Sequence, residues 1–130
     1  MTIDNVPGMK SDNIVKDKSF EFSVRIVNLY KYLTTEKKEF ILSKQVFRSG
    51  TSIGANICEG EQGISSADFI AKFSISLKEA CETDYWLRLL HRTDYLDDTL
   101  SNSIISDCQE LIRLLTAIIK KAKENNNPDN

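Results

Sequence analysis

Apolar residues recur every three or four positions in four separate stretches of this chain, and no stretch alternates apolar with polar as a strand would. That period places one face of each stretch against a shared core as an amphipathic α-helix. The first helix is expected over 17–33, where Phe22, Ile26, Leu29 and Leu33 form the stripe and Phe20, Val24 and Val27 widen it. The second is expected over 36–59, with Thr35 as N-cap, Val46, Gly50, Ile53 and Ile57 as its apolar line and Gly60 as a C′ glycine. Ser65 or Ser66 then caps a third helix over 67–92, carrying Phe69, Phe73, Leu77, Ala80 and Leu87, with Ile75, Trp86 and Leu89 on another face. The fourth, over 101–123, is built on Ile104, Cys108, Leu111, Leu115 and Ile118, with Ile105, Ile112 and Ile119 beside them. Residues 1–16, with a Pro7-Gly8 turn signal, and 124–130 read as tails around one domain spanning 17–123. Four helices joined by short loops imply an all-α, antiparallel up-down-up-down four-helix bundle.

The second helix carries a further pattern. Arg48, Ser52, Asn56 and Glu59 fall at i, i+4, i+8 and i+11 and share one face. Gly50 and Gly54 mark a small-residue face, where a neighbouring backbone comes close. Unpaired polar atoms beside a tight contact are expensive, so the file reads as a structural polar network that fixes helix register or closes a subunit interface. Arg48 is expected to pair with Glu82 of the third helix, and the small-residue face is expected to lie between subunits.

At 130 residues the chain is long enough to bury a core without disulfides or metals. Its 41% hydrophobic and 28% charged composition is that of an ordinary globular protein. The net charge of -2 and pI of 5.4 argue against a dedicated nucleic-acid binder, which is more often basic. Cys58, Cys81 and Cys108 have neither the even count of a disulfide framework nor the spacing of a zinc site, and are expected to be buried free thiols. No segment has the h-region of a signal peptide or the ~20 apolar residues of a membrane span. The expected location is the cytoplasm, with no membrane partner.

No catalytic constellation is visible. His91, the single histidine, lies seven residues after Asp84 on the same helical face, which makes a small enzyme using the Asp84/His91 face the alternative function. A histidine near a helix C-terminus is favourable without any catalytic role. The paired Glu-x-x-His motifs of a di-iron bundle are missing, so no cofactor and no metal are expected. Lys31, Lys37, Lys38, Lys44 and Arg48, with Tyr30 and Tyr32, form the best basic and aromatic cluster. Lys37, Lys38 and Lys44 are its candidate nucleic-acid contacts, although Glu36 and Glu39 interleave with them.

Three motifs in order resemble the bacterial four helix bundle protein family, known from open reading frames in intervening sequences of large-subunit ribosomal RNA genes and once misnamed ribosomal proteins. They are Arg48 followed by Ser52-Ile53-Gly54-Ala55-Asn56-Ile57-Cys58-Glu59-Gly60, Asp68-Phe69-Ile70 through Phe73, and Lys78-Glu79-Ala80-Cys81-Glu82-Thr83-Asp84-Tyr85-Trp86-Leu87. The resemblance spans about 20–122 and implies the same bundle, assembled as a ring-shaped homopentamer. A related protein, the accessory variability protein of diversity-generating retroelements, is a pentameric barrel that binds nucleic acid. Together these imply a non-enzymatic oligomeric scaffold or adaptor that binds a macromolecular partner, nucleic acid or protein.

Overall fold

The computed structural model describes residues 9–126. Four helices follow one another: α1 (Met9–Thr35), α2 (Leu42–Glu61), α3 (Ser66–Arg92) and α4 (Asp98–Asn125), with no strand among the described residues. α1 packs on α2 and α4, α3 packs on α2 and α4, and among the described residues the diagonal pairs share no close backbone contact. Cross-helix pairs run in opposite order along neighbouring helices. Lys18 meets Glu110 and Arg25 meets Asp107 between α1 and α4, and Arg48 meets Glu82 while Glu59 meets Lys72 between α2 and α3. The helices are therefore antiparallel neighbours around one core.

The core follows the periodic stripes. Phe22, Ile26, Leu29 and Leu33 of α1, Val46, Ile53 and Ile57 of α2, Phe73, Ala80, Leu87 and Leu90 of α3, and Ile104, Cys108, Leu111 and Leu115 of α4 are all buried. Each large side chain contributes about 1.5–3 kcal/mol by leaving water. The widening of the first helix's stripe is different from expectation. Phe20 and Val24 point outward, because α1 meets only two neighbours and its third face is left uncovered.

Helix ends differ from the sequence expectation, most at the starts of α1, α2 and α4. α1 begins at Met9 rather than at 17, and Val15 is fully buried in the core, so the expected tail contributes a packed turn. Residues 1–8 and 127–130 lie outside the described structure. α1 also runs on to Thr35, whose hydroxyl bonds back to Lys31 O at 2.6 Å instead of capping the next helix. α2 then starts at Leu42, six residues later than the expected 36. α4 starts at Asp98, with Asp97 as N-cap accepting from Leu100 N at 2.8 Å. Ser65 caps α3 as expected, accepting from Asp68 N at 3.1 Å.

The small residues of α2 serve contacts inside the chain. A Cβ on Gly50 would lie 2.7 Å from Ile26 Cγ1, and one on Gly60 would lie 2.7 Å from Phe73 Cδ1. Gly60 is thus not a left-handed C′ residue. It sits in the last turn of α2, and its missing side chain is space for the Phe73 ring. Gly54 faces Ser19 and Ser23 of α1, so the small-residue face meets the chain's own first helix at Gly50 and Gly54 and borders an open groove toward Ala55 and Cys58. On the opposite side, buried Ser76 donates to Ile53 O at 2.8 Å and Thr83 donates to Ser49 Oγ at 2.9 Å, tying α3 to α2.

Gly50 and Gly54 should respond oppositely to one methyl group. Gly50→Ala drives a Cβ into the branched body of a fully buried isoleucine and is expected to cost about 1–3 kcal/mol. At Gly54 the nearest atoms to an added Cβ are at 3.4 Å, an ordinary contact, so Gly54→Ala should gain helix propensity of up to ~1 kcal/mol. Thermal melts followed by circular dichroism read both; a Gly50→Ala variant as stable as Gly54→Ala would contradict this packing.

Candidate partner-binding surface

The polar file of α2 lies along the edge of the α2–α3 seam. Arg48 spreads its guanidinium over two carboxylates of α3: Nη1 donates to Glu79 Oε2 at 3.2 Å and Nη2 donates to Glu82. Trp86 Nε1 donates to the same Glu82 oxygen at 2.9 Å. At the other end, Glu59 faces Lys72 at 3.7 Å. Ser52 and Asn56 do not cross the seam. Ser52 Oγ donates to Arg48 O at 2.6 Å and Asn56 Nδ2 to Ser52 O at 2.8 Å, so both bond back to their own helix. The Arg48 side chain is 50% exposed, not buried, and its ion pairs are screened by water.

Asp84 and His91 do not form a pair. Asp84 Oδ2 accepts from Arg88 Nε at 3.0 Å, while His91 Nε2 lies 2.7 Å from Asp98 Oδ1 at the start of α4. That contact joins the end of α3 to the beginning of α4. Cys58 and Cys81 are exposed, contrary to expectation, and only Cys108 is buried. Burial first, then the nearby Asp84, Cys81 and Asp107, pushes the Cys108 thiol up to about 12, and Cys108 Sγ donates to Ala80 O at 3.3 Å. It is an inert core thiol.

The candidate nucleic-acid residues come together at the α1–α2 end of the bundle. Lys31 is in the last turns of α1, Lys37 and Lys38 are in the connection, and Lys44 is in the first turn of α2; all four are exposed. Lys38 takes a left-handed φ of 53°, which turns the chain back toward α2. Among the described residues none of the four makes an ion pair. Lys37 Nζ lies 5.9 Å from the Tyr32 ring centre, within cation–π range, and Tyr30 packs against Phe47 with ring centres 4.9 Å apart.

Glu39, which interleaves with these lysines in the sequence, pairs with none of them among the described residues. It is only 8% exposed, folded inward over the N-terminus of α2. Its carboxylate accepts from the backbone N–H of Ile41 at 3.2 Å, Leu42 at 3.0 Å and Ser43 at 2.7 Å, doing what the N-cap residue Ile41 has no side chain to do. Burial alone would raise its pKa; the backbone N–H bonds outweigh it and hold the carboxyl below its usual range. Glu36 is then the one acidic side chain of residues 31–44 left at the surface. The connection also exposes Phe40 by 53% and Ile41 by 75%.

Two predictions follow from these geometries. A half-exposed pair is worth less than the several kcal/mol of a buried one, so Arg48→Ala should lower stability by about 1 kcal/mol. Combined with Glu82→Ala it should cost less than the sum of the two single changes; additive losses would show that the residues are uncoupled. Glu39→Gln should be destabilising at neutral pH by about 1 kcal/mol, the scale of a helix cap. Because the folded pKa is lowered, Glu39 stabilises fully above its unfolded pKa, and that contribution is lost as pH falls through the folded value. The gap between wild type and variant in denaturant melts should therefore narrow as pH falls below the ordinary carboxylate range and through the lowered folded value. A gap independent of pH would refute the charged cap.

A family model described as 23S rRNA-intervening sequence protein matches residues 11–117. The chain is also similar to a solved structure from Bacteroides thetaiotaomicron VPI-5482, described as a protein of unknown function from the S23 ribosomal protein family. The two are 62% identical, the match covers 85% of this chain and 98% of that one, and the TM-score is 0.83. No protein of curated function matches. The match over most of the bundle, motifs included, means that this chain belongs to the 23S rRNA-intervening sequence protein family.

Proposed function

We propose that this protein is a non-enzymatic oligomeric scaffold, a ring of five subunits, that acts by binding a macromolecular partner, and that the partner is nucleic acid. The observation that supports this reading best is the α1–α2 tip. Four exposed lysines, none in an ion pair among the described residues, stand beside a glutamate whose carboxylate is engaged as a helix cap. Lys37, Lys38 and Lys44 are the proposed phosphate contacts. The family's tie to an intervening sequence of 23S rRNA makes RNA the first probe.

Self-association is supported by the uncovered face of α1. Phe20 is 66% exposed beside a groove of about 630 Å³ between α1 and α2, lined also by Ser23, Gly54, Ala55 and Cys58. Val24 extends the same apolar surface. A neighbouring subunit that covers it removes aromatic and aliphatic area from water. The location proposed is the cytoplasm, where the exposed Cys58 and Cys81 stay reduced.

Sedimentation velocity and a salt titration of RNA and DNA binding test the two halves of this reading. A discrete oligomer is expected at micromolar concentration. Affinity should fall linearly with log salt, and replacing Lys37, Lys38 and Lys44 by Ala should reduce that slope by roughly one per lysine. A monomer would overturn the ring. Binding to neither nucleic acid would move the partner to the protein class.

A further inference from the structure

Resting on the nucleic-acid reading above, we infer that the α1–α2 tip takes single-stranded rather than duplex nucleic acid, with Phe40 as the surface on which a base stacks. The lysines alone do not choose between the two, since both forms present phosphates. The apolar residues among them do. In a duplex the base faces are covered by their neighbours, so an aromatic ring beside the phosphates meets only a charged, hydrated backbone. An unpaired base offers an open π-face that an aromatic ring can cover.

Phe40 is placed for that role by its two neighbours in the chain. On one side Glu39 N donates to Leu33 O at 2.9 Å, closing the end of α1. On the other, the Glu39 carboxylate holds the N–H groups of Ile41, Leu42 and Ser43, and Ser43 Oγ returns a bond to Glu39 O at 2.8 Å. Both flanks are fixed to helices, and the ring between them stays half in water. Such a ring is presented at low entropic cost. Lys37, Lys38 and Lys44 lie within four residues of it in the chain, so phosphates on either side of a stacked base have a cation to meet. Ile41, more exposed still, widens the apolar platform. The Tyr32 ring already carries Lys37 and the Tyr30 ring is packed on Phe47, which leaves Phe40 as the open aromatic face of the tip.

The test is fluorescence anisotropy of the full chain with labelled oligouridine, a blunt RNA duplex of equal length, and vesicles of phosphatidylcholine with phosphatidylserine. Oligouridine should bind about tenfold tighter than the duplex. Phe40→Ala should weaken oligouridine binding about tenfold, Phe40→Trp should retain it, and neither should change duplex binding. An unchanged melting curve for Phe40→Ala shows that the loss is not one of folding. Equal affinity for the two RNAs, or no effect of Phe40→Ala, overturns the stacking proposal while leaving the nucleic-acid reading in place. No binding to either RNA overturns both. Binding to the acidic vesicles alone, abolished by Phe40→Ala, replaces them with an anionic membrane surface.

Discussion

The bundle depends on how closely α2 approaches its two neighbours. On the α1 side, the place of a side chain at Gly50 is filled by Ile26. On the α3 side, Gly60 admits Phe73, and short hydroxyl side chains bridge the helices from Ser76 to Ile53 O and from Thr83 to Ser49. Close packing leaves these contacts little room to relax, so they fix the rotation of α2 about its own axis. That rotation decides which residues face out. With Val46, Ile53 and Ile57 turned to the core, Arg48 and Glu59 must lie over the α3 edge and Ala55 and Cys58 toward the α1 groove. The exposed faces are consequences of the buried ones.

The α1–α2 connection shows the same dependence at one end. Starting α2 at Leu42 leaves its first N–H groups without intrahelical partners, and Ile41 cannot accept from them. Glu39 supplies the acceptor from two residues further back, and the helix dipole favours its negative charge there. This single carboxylate stabilises a helix, spends its hydrogen bonds on the backbone rather than on the neighbouring lysines, and fixes the chain on both sides of Phe40. A glutamine would retain some hydrogen bonding but not the negative charge that the helix N-terminus favours.

Much of the fold was legible because burial obeys helical period. Every stripe residue expected in α4 is buried, as are Phe22, Ile26, Leu29 and Leu33 in α1. Phe20 and Val24 were not distinguishable from these by period, since an apolar residue at a face edge looks the same whether a neighbour covers it or not. The α1–α2 boundary was misplaced because Thr35 resembles a cap in sequence, whereas it and Thr34 each donate a hydroxyl to a carbonyl one turn back within α1. The carboxylate that caps α2 reaches from outside the helix, where spacing rules for N-caps do not look. The Arg48–Glu82 contact was legible from spacing, but its exposure was not. Ser49 and Thr83 gave no signal, since isolated hydroxyl residues in helices are common and their pairing exists only once the helices cross.

The same limit applies to charge. A net charge of -2 describes the whole chain, but a phosphate at the tip feels what lies within a Debye length, about 8–10 Å at physiological salt. Some acids of the chain are already engaged elsewhere: Asp107 with Arg25, Glu110 with Lys18, Glu79 and Glu82 with Arg48, and Asp97 as a cap on α4. An acid paired with its own cation adds little field at a distance, because the two charges cancel. Lys31, Lys37, Lys38 and Lys44 have no such partner among the described residues. A pI of 5.4 therefore does not weigh against an anion-binding tip, and in a closed ring the tip would be repeated once per subunit. Several weak sites held at fixed spacing raise avidity well beyond that of one site, provided a single strand is long enough to reach more than one.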